Sequence, residues 1–309
     1  VDLLKIIEKE LEKLGLEEIS FSEEDSYLVG KLKKTTKKEV TPIGFVAHVD
    51  TADFNAENIK PLIHQNYDGK DIFLKEGRVL STSEFPSLKK HLGETLITAD
   101  GTTLLGADDK AGIAGLLGML KSLKENPDLE HGDIWVAFGP DEEIGKGAAR
   151  FNVERFPVEF AYTLDNGDPG DIAFETFNAA AATIDFHGTV VHPGEAYGLM
   201  VNAALMASEF IQALPASEVP ENSKDFDGYF MVLSNNGNVD HAQIQLIIRD
   251  FDTDGFEQKK KLITSTVDKL NKKYGTNRVT FEMHDQYHSP GDLIKEHPYV
   301  VNLVLHAYK

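Results

Sequence analysis

Cysteine is absent from the 309 residues. This excludes disulfides, thiolate metal sites and cysteine nucleophiles, and leaves any metal to histidine and carboxylate. The lack also fits a reducing, cytoplasmic setting. Positive charge is scarce: 31 Lys and Arg face 51 Asp and Glu, a net charge of -20. Such a field repels phosphate backbones and anionic lipid, so neither nucleic acid nor a membrane is expected as a partner. No apolar run approaches the roughly 18 to 20 residues that span a bilayer. The opening VDLLKIIEKELEKL reads as an amphipathic helix, not as a signal peptide.

The length suggests two domains. Leu3, Ile6, Ile7, Leu11 and Leu14 predict a first helix over residues 2–14, ended by Gly15. A strand follows near residues 26–33, and the lysine-rich KLKKTTKKEV reads as a solvated hairpin turn into the buried strand IGFVAHVD. Short strands are expected around IFLKEG and GRVLS, and an apolar helix from Lys110 to Glu125 follows GADD. DIWVAFGPDEEIG and EFAYTLDNG repeat the pattern of an apolar strand running into an acidic loop. This describes an open mixed α/β sheet whose site lies at the carboxyl ends of its strands. From Asn178 the predicted order is strand, helix, two strands, helix, strand, which marks an inserted ferredoxin-like α+β domain. The expected division is a catalytic domain of residues 1–177 plus 289–309 and an inserted domain of residues 178–288.

His48 and Asp50 in AHVDT stand two residues apart at a strand end, so their side chains leave the same face. A carboxylate behind a metal-binding imidazole fixes its tautomer and orientation. A strand-end histidine held by local hydrogen bonds is the plainer alternative. Asp108 and Asp109 precede an apolar helix, where capping is the simple reading. One cap does not need two adjacent aspartates, however, and a carboxylate can bridge two cations through its two oxygens. In GPDEEIGKG three neighbouring acids repel one another unless a cation or proton compensates, and a metal is the simpler compensation. One of Glu142 and Glu143 can then bind the ion while the other serves as general base. Asp165 in TLDNG offers a further oxygen ligand. His and carboxylate without sulfur suit zinc, manganese or cobalt, and ions paired about 3.5 to 4 Å apart suit hydrolysis. The same GPDEEIGKG is no phosphate loop: its spacing is one residue too long, Gly147 replaces the Ser or Thr after Lys146, and its charge would repel a triphosphate.

Together AHVDT, TTLLGADDKAGIA, PDEEIGKGA, FNAA, VHPGEA with MVNA, and IIRDFD resemble peptidase T. This is the tripeptide aminopeptidase branch of the zinc metallopeptidases that also include carboxypeptidases and acylases. The resemblance extends over essentially the whole chain. It implies two divalent ions, zinc, per subunit, with His48 and Asp165 on one, Glu143 on the other and Asp108 bridging. It also implies that Asp50 orients His48, that Glu142 is the general base, and that the Asp108–Asp109 peptide is cis. The inserted domain becomes a lid and homodimerisation module that supplies His192 for the scissile carbonyl and Arg249 for the peptide's terminal carboxylate. Plainer roles are a turn shaped by His192 before Pro193 and an ion pair of Arg249 with Asp250 or Asp252.

The implied reaction is hydrolysis of the first peptide bond of a tripeptide. Alternatives are an N-acyl amino acid deacylase, a carboxypeptidase, or a non-catalytic peptide- or metal-binding protein. Tyr197 and Leu199 replace a lysine and a polar residue common in relatives. The family's Gly-Gly-Thr-Asp-Gly segment and its late metal-binding histidine have no counterpart, since His288, His297 and His306 stand in other contexts. Further residues are therefore expected at both ends. If the 309 residues were the whole protein, the second metal would be weak or lost.

Overall fold

Leu4, Ile7 and Leu11 recur at helical spacing and form the buried stripe of α1 (Asp2–Leu14). Gly15, at φ +85°, closes that helix. The computed structural model describes residues 2–165, 167 and 170–308, and the chain divides into two compact units, residues 1–169 and 170–309.

In the first unit α1 leads into β1 (Glu17–Phe21), β2 (Leu28–Leu32) and β3 (Ile43–His48). Two small antiparallel ribbons follow. They are built from β4 (Leu62–His64), β5 (Ile72–Phe73), β6 (Val79–Leu80) and β7 (Leu96–Thr98), with β4 on β7 and β5 on β6. Then come α2 (Ala107–Glu125), β8 (Ile134–Gly139), the short α3 (Gly147–Arg150) and β9 (Phe160–Thr163). The main sheet runs β1-β2-β8-β3-β9. β3 is parallel to β8 and β9, whereas β2 is antiparallel to β8.

All six residues of β8 are buried, as befits a central strand covered on both faces. On one face Val136 and Phe138 meet Leu11 of α1 and Leu116 and Leu120 of α2. On the other Trp135 and Ala137 pack with Tyr27, Val29 and Phe156.

One expectation changes and one strand of the main sheet is new. The lysine-rich segment is no hairpin turn, because β8 lies between β2 and β3. The segment instead docks on the chain leading into β8. The amides of Thr35 and Thr36 donate to the His131 carbonyl, and Lys34 N donates to Asp133 Oδ1 at 2.7 Å. Within the main sheet the unpredicted strand is β1, whose EEISF sequence lies mostly exposed at the sheet edge and carries little apolar signal, and the short β4 and β7 are likewise unpredicted.

The second unit holds β10 (Asn178–His187), α4 (Ala203–Ala213), β11 (Tyr229–Gly237), β12 (His241–Asp250), α5 (Thr253–Tyr274) and β13 (Val279–Tyr287). Its antiparallel sheet runs β11-β12-β10-β13, the ferredoxin-like order expected over residues 178–288. Alternate residues Ala182, Ile184 and Phe186 of β10 face a core shared with Met206 and Phe210 of α4 and Phe256, Ile263 and Val267 of α5. Residues 289–309, expected in the catalytic domain, form α6 (Gly291–Glu296) and α7 (Pro298–Ala307) and fall within this second unit. Among the described residues no helix is long and apolar enough to cross a membrane.

Candidate metal centre

Because β3, β8 and β9 are parallel, their carboxyl ends share one sheet edge. His48 is level with Gly139 of β8, and Val46 with Thr163 of β9. The loops that follow carry Asp50, the acids at 141–143 and Asp165, and the start of α2 brings Asp108 to the same edge. Gly112 permits that approach: a Cβ there would lie 2.2 Å from the Leu164 carbonyl oxygen and 2.3 Å from Asp109 Oδ1. The Asp108–Asp109 peptide is cis, as the resemblance implies, and Asp108 and Asp109 depart from helical dihedrals.

His48, Asp108 and Asp165 each offer a ligand atom within 4.8 Å of the others. The imidazole is 5% exposed. Its Nε2 lies 2.8 Å from Asp108 Oδ1 and 3.6 Å from Asp165 Oδ2. Ligand atoms about 2.0 to 2.1 Å from a tetrahedral zinc sit about 3.3 Å apart, so the three residues fit one side of a divalent ion.

Behind the ring, His48 Nδ1 meets Asp50 Oδ1 at 3.1 Å, the arrangement that leaves Nε2 for a metal. Asp50 does more than orient the ring. Its oxygens accept from the amides of Glu142 at 3.4 Å and Glu143 at 3.2 Å, so one carboxylate braces both the imidazole and the acidic loop. Asp109 is a second brace: its oxygens accept from His48 N at 3.2 Å and Gly112 N at 3.1 Å.

Electrostatics follow from this crowding. Burial disfavours the charged form of His48, yet the hydrogen bond that Nε2 donates to Asp108 and the charges of Asp165 and Asp50 outweigh it and hold the imidazole pKa above its ordinary 6.5. Burial and the charge of Asp109 push the Asp165 carboxyl up to about 6, against the pull of His48. Asp109 is likewise raised, burial leading. A cluster in which Asp165 and Asp109 are pushed toward protonation and His48 is pulled toward charge is short of positive charge, which a divalent ion would supply.

The remaining sequence candidates lie outside this three-residue group. Glu143 is not within the three-residue group, and Glu142 is exposed on the same loop. Asp141 is salt-bridged to Arg150, so part of the acidic repulsion that points to a metal is relieved by an arginine. In the second unit His192 Nδ1 accepts from Gly194 N at 3.1 Å, capping a short turn. With Nδ1 accepting, Nε2 is the ring nitrogen that can donate. Arg249 is not paired with its neighbouring acids: Asp250 binds Lys259 at 2.9 Å, and Asp252 caps α5.

Lys110 is the residue that sequence reasoning passed over. Its Nζ donates to the carbonyls of Asp50 at 2.9 Å and Asp108 at 3.4 Å, and burial lowers its pKa. Its place directly after the aspartate pair was the available signal.

Over 309 residues the chain is 47% identical to peptidase T of Fusobacterium nucleatum, spanning 99% of this chain and 75% of that one. It belongs to the peptidase T family. The aminopeptidase PepT of Bacillus cereus superposes with a TM-score of 0.74 at 25% identity, over 92% of this chain and 70% of that one. The fold is also shared with a dinuclear metal-binding peptidase of the M20 family from Bacillus subtilis. There the TM-score is 0.60 at 14% identity, over 94% of this chain and 69% of that one. Residues 174–277 match the peptidase dimerisation domain model, and thus most of the ferredoxin-like module of this peptidase T relative.

Proposed function

We propose that this chain is a zinc-dependent aminopeptidase that removes the first residue of tripeptides in the cytoplasm and works as a homodimer through the ferredoxin-like module. The observation that carries the reading is the convergence of His48, Asp108 and Asp165 behind the Asp50 brace, in a chain of this family. His48 and Asp165 would hold one divalent ion and Glu143 a second, with Asp108 between them. When bound, the ions would supply Lewis acidity and lower the pKa of water toward neutrality. Glu142 takes the proton from the attacking water and returns it to the leaving amine. His192, its Nδ1 engaged by the Gly194 amide, donates from Nε2 to the developing oxyanion, and Arg249 takes the peptide's terminal carboxylate. In functional terms residues 1–177 and 289–309 form the catalytic domain and 178–288 the lid and dimerisation domain. The dimerisation-domain match supports the second role.

The test compares a tripeptide, its N-acylated form and an N-acyl amino acid, with metal content measured on the same sample. Cleavage of the free tripeptide with two zinc ions per chain is expected. Preference for the acylated compounds would instead indicate a deacylase or carboxypeptidase, and metal-free, inactive protein would indicate a binding protein.

A further inference from the structure

The segment FNAA, residues 177–180, carries part of the family resemblance but no step of the chemistry above. In the structure it builds the surroundings of Arg249. Asn178 is 2% exposed. Its Nδ2 donates to the Asp250 carbonyl at 3.1 Å and its Oδ1 accepts from Ser289 N at 2.9 Å, which ties the start of β10 to the end of β12 and to the chain leaving β13. Ala179 then lies in register between Arg249 on one neighbouring strand and Tyr287 on the other. Its methyl group is fully buried. So small a side chain lets its two cross-strand neighbours meet.

The guanidinium carbon of Arg249 lies 5.3 Å from the ring centre of Phe177 and 5.9 Å from that of Tyr287. The two rings stand 6.1 Å apart. Arg249 Nη1 donates to the Ala180 carbonyl at 3.3 Å and the Ile248 carbonyl at 2.8 Å. Both bonds use the same nitrogen, so the edge formed by Nε and Nη2 bonds none of the described residues. That edge has the two-donor geometry that matches a carboxylate. Ring faces attract the cation, and a side chain fixed in advance loses less rotamer freedom when its ligand arrives.

We propose that Phe177, Ala179 and Tyr287 are positioning residues that preset the Arg249 fork for the terminal carboxylate of a peptide. The inference rests on the reading of Arg249 as the carboxylate-binding residue. It is tested on the full chain by steady-state kinetics with trialanine and with its C-terminal amide, thermal unfolding serving as the fold control. Phe177→Leu keeps apolar volume but removes the ring. It should raise KM for trialanine about tenfold, the scale of a charge-assisted hydrogen bond, and leave kcat within about twofold. The amide should be unaffected, Phe177→Tyr should restore KM, and Phe177→Leu should add nothing in an Arg249→Met background. If Arg249→Met raises KM for trialanine but Phe177→Leu does not, or if the latter weakens acid and amide alike, the positioning role is overturned and the Arg249 reading stands. If Arg249→Met leaves KM unchanged, both fall.

Discussion

Asp50 Oδ2 accepts the backbone amide of Glu143 at 3.2 Å while its partner oxygen stands 3.1 Å from His48 Nδ1. The carboxylate therefore couples the His48 imidazole, a proposed metal ligand, to the loop bearing the proposed base. Asp50→Asn keeps the shape but removes the charge and offers one acceptor oxygen instead of two. Zinc affinity should fall by about 10- to 100-fold, the usual cost of losing an outer-shell partner. Titration of the metal-free protein with zinc checks this, and wild-type affinity would remove Asp50 from the centre.

Glu142→Gln should separate binding from chemistry. Glu142 contributes its amide, not its carboxylate, to the Asp50 brace, so zinc content should stay near that of wild type. Turnover should drop by at least about 100-fold, within the range for a general base. Comparable rates in the two proteins would assign the proton transfer elsewhere.

Two glycines of α2 should respond in opposite directions. A Cβ at Gly112 meets the Leu164 carbonyl and Asp109, while one at Gly118 meets nothing within 4 Å. Gly112→Ala should destabilise by about 1 to 3 kcal/mol and weaken metal binding, because helix and strand end must part. Gly118→Ala, on an exposed helix surface, should stabilise by about 0.5 to 1 kcal/mol. Denaturant unfolding of both variants distinguishes local crowding from a general dislike of alanine in this helix.

The metal-free protein should lose stability as pH rises. The Asp165 carboxyl is raised to about 6 from 3.8, so between those values the folded state binds more protons than the unfolded one and stability falls with pH. His48, raised above 6.5, contributes stability fully present below that value and lost as pH passes its folded pKa. Zinc requires both groups deprotonated, so its stabilising effect should grow across the same window. Thermal unfolding with chelator and with zinc, from pH 5 to 8, gives the two curves; parallel curves would disconnect the metal from these residues.

Much of this was legible in the sequence because strand ends announce themselves: IGFVAH, DIWVAFG and FAYT are apolar runs that break abruptly into acids, and parallel pairing carries those acids to one edge. The ferredoxin-like module was equally readable from its alternating strands and two periodic helices. The order of the first sheet was not, because pairing partners depend on long-range packing and leave no mark in local periodicity. Lys110 was missed for a similar reason. Its bonds run to backbone carbonyls, and no pattern of residue types encodes a carbonyl's direction. The Asp50 contacts with the amides of Glu142 and Glu143 were hidden in the same way.

The position of β8 between β2 and β3 also governs how the first unit can form. Residues 28–32 and 43–48 are near neighbours in sequence, yet each pairs with residues 134–139 and not with the other. Neither strand gains that partner until the chain is made through Gly139, and the edge that gathers His48, Asp108 and Asp165 waits longer, for β9. Such non-local closure is slow, and during synthesis it leaves the apolar faces of β2 and β3 without their sheet. A nascent chain halted before Ile134 should consequently be a client for chaperones, while one released after Thr163 has every strand of the sheet in hand.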